Sequence, residues 1–113
     1  MKLLFGLLLI FSVNLFAFTW AKSFDEAKKE AKASDKNVML VLTQHGCYSC
    51  EYMKTKVFKE PLVSNNIDDR FVLVEIDVKT GTVPKELKVF GVPTIYFLNP
   101  NGEKIGRQFV GMA

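Results

Sequence analysis

The chain has 113 residues, 49% of them hydrophobic and 24% charged, with a formal net charge of +3. That length supports one domain, and that balance excludes disorder in favour of a compact core. Acidic and basic residues are mixed without a basic stripe or an aromatic stacking platform, which argues against nucleic acid as a partner.

Residues 1–17 have the anatomy of a signal peptide: Lys2 as a short positive region, an apolar stretch from Leu3 to Val13, and Ala17 at a cleavage point, with a later cut after Ala21 as the alternative. Left uncleaved, the segment to Trp20 would serve as a membrane anchor, although Ser12, Asn14 and Thr19 interrupt it. Either way the folded part, residues 18–113, is expected outside the cytoplasm, periplasmic or secreted. Its length of about 95 residues is enough to fold alone.

Ser23 and Glu26 fit a capping box that opens a helix to about Ser34, with Asp25 and Lys29 as an i,i+4 pair and Trp20 as an upstream hydrophobic anchor. Asn37–Thr43 encloses the unbroken run Val38-Met39-Leu40-Val41-Leu42, which predicts a strand buried on both faces. A second helix follows the cysteines, with Cys50, Met53 and Val57 on one face, and ends near Lys59-Glu60. Pro61 suits the first turn of a further helix toward Ile67. Phe71–Asp77 is the second strong strand, and the helical crossover before it predicts a parallel pair. After a loop over Lys79–Val83, Pro84–Phe90 reads as a short helix closed by Gly91. Thr94–Leu98 and Lys104–Val110 then flank Asn99-Pro100-Asn101-Gly102 as a hairpin. The order predicts an α/β fold with a central mixed sheet flanked by helices.

Chemistry concentrates in Gln44-His45-Gly46-Cys47-Tyr48-Ser49-Cys50-Glu51, which holds the chain's two cysteines. A Cys-x-x-Cys at a helix start places Cys47 beside unpaired backbone N–H groups and the positive end of the helix dipole, which favours its thiolate. Cys47 is therefore the expected nucleophile and Cys50 the resolving thiol. A purely structural disulfide would close too short a ring to add much stability. The competing reading is a non-catalytic binding module or a zinc or copper carrier using His45, Cys47 and Cys50, whose fourth ligand would be a carboxylate, water or another chain. Haem attachment needs His after the second cysteine, where Glu51 stands. The strand-then-helix context favours redox chemistry over metal.

Val38 to Cys50, Phe71 to Asp77 and Gly91-Val92-Pro93-Thr94 together resemble the thioredoxin superfamily. The chain is most similar there to small exported thioredoxin-like proteins and to the C-terminal domain of the transmembrane thiol:disulfide interchange reductase. The likeness spans Trp20 to Val110. It implies a thioredoxin-like fold, catalysis by Cys47 and Cys50, and no cofactor beyond the dithiol. Substrates would be protein or small-molecule disulfides, and reduction would draw on an electron donor such as a membrane thiol:disulfide reductase. It further implies a cis Pro93 beside Cys47, with the backbone of Val92 pairing with an extended substrate segment. On the residues alone, Pro93 would merely start an edge strand. Tyr48 and Ser49 would tune potential and substrate fit.

Three positions depart from the family's pattern. Val41 replaces its buried acid, Leu73 the lysine that accompanies it, and Gly46 the tryptophan before the first cysteine. His45, Glu51, Glu75 or water remains to accept the proton of Cys50, with His45 favoured because an imidazole titrates near neutrality. The family closes with a helix over the sheet, whereas this sequence stops at Gly111-Met112-Ala113; either it is truncated, or a partner or a second copy is expected to cover the apolar sheet face.

Overall fold

The structure, a computed structural model, describes residues 20–111. The expected signal segment lies outside the described residues. No helix among those described is long and apolar enough to cross a membrane.

Strand β1 (Trp20–Ala21) leads into α1 (Phe24–Ser34), then β2 (Asn37–Thr43) and α2 (Tyr48–Tyr52). Helix α2 widens into a π-helical turn over Met53–Val57, and α3 (Pro61–Arg70), β3 (Phe71–Asp77), β4 (Thr94–Leu98) and β5 (Phe109–Val110) complete the order. The strands form one mixed sheet in the order β1-β3-β2-β4-β5. β1 and β2 run parallel to β3, whereas β4 is antiparallel to β2 and β5 to β4.

Strand alternation divides the core in two. Val38, Leu40 and Leu42 face α1, where Ala27 and Ala31 are fully buried and let the helix approach closely. Met39 and Val41 face the opposite side and pack with Met53, Phe58 and Ile67 from the segment between β2 and β3. With both faces covered, the run Val38–Leu42 is apolar throughout, as its sequence requires. On the second face an apolar groove of about 250 Å³ remains between Met39, Met53, Phe58, Ile67, Ile95 and Phe109. Among the described residues no helix follows β5.

The Ser23 hydroxyl caps α1 by accepting the Glu26 N–H at 3.1 Å. Asp25 pairs with Lys28 at 3.6 Å rather than with Lys29, because the Lys28 ammonium also lies 4.8 Å over the Phe24 ring. Trp20 does more than anchor. It pairs in register with Leu73, and its ring stands 6.4 Å from that of Phe58.

The helix after the cysteines is not uniform. The Phe58 N–H bonds to Met53 O at 3.0 Å, an i→i+5 step that brings buried Met53 and Phe58 toward one face. The predicted helix over Pro84–Phe90 is absent: one turn forms, closed by the Leu87 N–H on Pro84 O at 3.0 Å. Leu87 is drawn into the core, and the buried Tyr96 hydroxyl takes both backbone groups of Lys88, accepting its N–H at 3.1 Å and donating to its carbonyl at 2.6 Å. Side-chain bonds thus replace the helical ones. The predicted strand over Lys104–Val110 is likewise broken. Lys104 bridges Leu98, Gly106 adopts φ +76°, and pairing resumes only at Phe109–Val110.

Candidate active site

Beyond Thr43 the chain turns through Gln44–Gly46, held by the Cys47 N–H on Gln44 O at 3.1 Å. Gly46 has φ +83°, and a Cβ there would meet nothing within 4 Å, so conformation rather than space demands glycine. Cys47 follows in extended conformation as the N-cap of α2, its sulfur accepting the Cys50 N–H at 3.0 Å. The two cysteines are disulfide-bonded, with Cα atoms 5.3 Å apart. Cys47 is half-buried and Cys50 only 1% exposed, so a partner reaches the first sulfur and not the second.

The pairing of Thr94 with Leu42 brings the start of β4 to the end of β2, and with it Val92 and Pro93 to the end of the sheet that bears the cysteines. The Val92–Pro93 peptide is cis, and Pro93 is fully buried. The Pro93 carbonyl accepts the Gly111 N–H at 2.7 Å, while the Thr94 hydroxyl donates to Gly91 O. On α2, Tyr48 is 77% exposed with its ring 6.4 Å from that of Tyr52, and the Ser49 carbonyl accepts a bond from the Met53 N–H.

His45 is exposed in the turn, and its backbone N–H donates to Asp77 Oδ2 at 2.9 Å. It does not gather with the cysteines into a metal site. Among the described residues no group of three His, Cys, Asp or Glu side chains is placed to hold an ion, and each cysteine sulfur is bonded to the other.

Asp77, Thr43 and Lys54, at this end of the sheet, are not singled out by the sequence pattern. Asp77, the last residue of β3, accepts the N–H groups of Lys79 (2.8 Å) and Thr80 (3.3 Å) on Oδ1, besides that of His45 on Oδ2. It thereby pins the cysteine loop to β3. An Asp at a strand end before Lys79-Thr80-Gly81 is the signal of such a turn. Thr43 and Lys54 both donate to Glu75 Oε2, at 2.6 and 2.9 Å, and Lys54 also pairs with Glu51 at 3.2 Å. Partial burial disfavours the charge of Lys54, but the bonds to Glu75 and Glu51 outweigh it and hold the ammonium above its ordinary value.

The Asp77 carboxyl lies below its ordinary value of 3.8: the Lys79 N–H is the main cause, opposed by some desolvation and aided by the Thr80 and His45 N–H groups and the His45 charge. A depressed carboxyl stabilises the fold above its unfolded value and stops doing so as pH falls through the folded one. Asp77→Asn is therefore expected to lower the thermal midpoint at neutral pH, with the gap to the parent closing at pH values below about 4. Paired melting curves at pH 7 and in acid check this; an equal gap at both would remove Asp77's charge from the account.

Residues 24–113 match the model of the thioredoxin-like domain. The thiol:disulfide interchange protein DsbD of Vibrio cholerae is 38% identical over 85 residues, covering 70% of this chain and 14% of that protein. The chain thus spans about one seventh of the length of that curated relative. The solution structure of a thioredoxin from Thermus thermophilus superposes with a TM-score of 0.67 at 28% identity, over 83% of this chain and 75% of that one. The oxidised C-terminal domain of Neisseria meningitidis DsbD gives 0.59 at 22% identity, over 86% and 89%, a likeness of fold.

Proposed function

The chain belongs to the thioredoxin-like domain family, and from that premise we propose that it is an exported thiol–disulfide oxidoreductase that reduces disulfides. One observation carries the reading: Cys47 and Cys50 are joined at the start of α2, the first within reach of a partner and the second enclosed. In the reduced protein the Cys47 thiolate, favoured by the helix N-terminus, attacks a partner disulfide and displaces one partner sulfur as thiolate. Cys50 loses its proton and attacks Cys47, forming the Cys47–Cys50 bond and releasing the second partner thiolate. Two electrons pass to the partner, and the disulfide seen here is the oxidised product. A donor such as a membrane thiol:disulfide reductase restores the dithiol.

Val92 and cis Pro93, at the same end of the sheet, offer backbone for an extended substrate to pair with. Tyr48, exposed between the cysteines, meets that substrate first. A partner or second copy on the far side would bury the apolar groove beside β4.

Residues 1–17 serve as the export signal, a reading supported by Lys2, the apolar stretch from Leu3 to Val13 and the small Ala17. Cleavage after Ala17 keeps β1, whose residues pair with Leu73 and Val74; cleavage after Ala21 would remove it.

The direction of transfer is tested by equilibrating the pair with glutathione buffers. A reductant gives a potential near that of thioredoxin, roughly −270 mV, whereas a value near −120 mV would make the protein an oxidant.

A further inference from the structure

The resolving step needs a proton to leave Cys50, which is 1% exposed at the inner end of the disulfide. On its own helical segment stand Tyr48, Glu51, Tyr52, Lys54 and Lys56, in the preceding turn His45, and on β3 Glu75 and Asp77. β2 and β4 bring no charge. Asp77 is engaged by three backbone N–H groups of the surrounding loops, and His45 is exposed in the turn.

Lys54 and Glu75 are placed differently. Lys54 follows Cys50 by four residues, a spacing that makes neighbours on one face of a helix. Glu75 lies level with Val41 in the β2–β3 register, on the face to which Val41 and Met53 contribute. Its Oε2 receives Lys54 Nζ at 2.9 Å and the hydroxyl of Thr43, itself 3% exposed, at 2.6 Å. The two charged side chains are 22% and 32% exposed, so water screens them less than it would a surface pair. The bonds tie the last residue of β2, the middle of β3 and the helix carrying Cys50 into one polar cluster.

We propose that Lys54 and Glu75 together govern how readily Cys50 gives up its proton, as positioning residues of opposite electrostatic sense. The inference deepens the oxidoreductase reading and rests on it for its role. The Cys50 thiol passes its proton to water, the thiolate forms the bond to Cys47, and the departing partner thiolate takes a proton from solvent. Lys54 favours the thiolate, and Glu75 restrains that effect by holding Lys54. Removing either partner unbalances the pair in a defined direction.

The test titrates Cys50 as the sole thiol of a Cys47→Ser protein by the ultraviolet absorbance of its thiolate. Glu75→Gln is expected to move the titration to lower pH and Lys54→Met to higher pH, each by roughly half to one pH unit. The Lys54→Met shift is the larger, because Glu51 and Glu75 are then both uncompensated, whereas Glu51 still holds Lys54 in Glu75→Gln. The double variant falls between the single ones. Shifts of the same sign, or curves that superimpose on the parent, would overturn the proposal, and either variant alone decides its own sign should the other fail to fold. The titration needs no disulfide substrate. A protein inactive in exchange but with these shifts would refute the enzymatic reading alone; an active protein without them would refute this one alone.

Discussion

Replacing Cys47 with Ser is expected to lower the rate of disulfide reduction by about a thousandfold or more, because a hydroxyl is barely ionised where a thiol is partly so. The structure makes this a clean substitution. The sulfur of Cys47 caps α2 by accepting the Cys50 N–H, and serine is among the best residues for that duty. The variant also loses the disulfide, but so short a ring constrains the unfolded chain little. The melting temperature should therefore change by only a few degrees while exchange disappears. The rate at which dithiothreitol reduces a model protein disulfide, with and without each protein, provides the measurement. A Cys47→Ser protein within tenfold of the parent would remove Cys47 from the chemistry.

The largest effect on stability is expected at Leu40. It is fully buried in the middle strand of the sheet, opposite Val74 on one side and Tyr96 on the other. Above it α1 presents Ala27 and Ala31, also fully buried, whose side chains are too small to fill a void. The site has little freedom to collapse, so Leu40→Ala should cost about 3–4 kcal/mol, within the range for deletions of this kind. A domain of this size has about 5–15 kcal/mol to lose and melts about 4–8 °C lower per kcal/mol, which puts the drop at about 12 °C or more. Leu62, 80% exposed on α3, is the control: its alanine variant should lie within about 0.5 kcal/mol of the parent. Equal effects at the two positions, read from urea unfolding, would contradict the assignment of the core.

The elements carried by strong, uninterrupted patterns were legible in the residues. Val38–Leu42 and Val72–Val74 are apolar because both faces of their strands are covered there, and β2 and β3 match the predicted bounds. Ser23 and Pro61 mark helix starts by mechanisms that act within a turn, and both helices begin there. What escaped depends on contacts distant in sequence. β1 is two residues long and exists through its pairing with β3, some fifty residues on. The segment after Pro84 has a helical pattern, yet Tyr96 withdraws the backbone of Lys88 from helical bonding. The arm after Lys104 has strand-like residues, but Gly106 breaks its pairing.

The site divides in the same way. The spacing of Cys47 and Cys50 was plain, and the β2–β4 register brings Val92 and Pro93 to their end of the sheet. His45 is favoured by the sequence because an imidazole titrates near neutrality; in the structure it is exposed, and its backbone N–H is engaged by Asp77. The charged side chains organised around the end of β2 are instead Lys54 and Glu75. Their sequence separation conceals a 2.9 Å contact made by the fold. Position 41, where an acid was sought, holds valine, while its neighbour in register on β3 is a glutamate.

The most direct measurement of thiol–disulfide exchange is capture of its intermediate. A Cys50→Ser protein, reduced and then mixed with a disulfide-bonded partner, should accumulate a one-to-one covalent adduct through Cys47, because no second thiol remains to release it. Intact mass before and after dithiothreitol identifies the adduct, and peptide mapping places the bond. The account predicts an adduct that dithiothreitol dissolves and that Cys47→Ser abolishes. No adduct with Cys50→Ser, or an equal yield from Cys47→Ser, would contradict it.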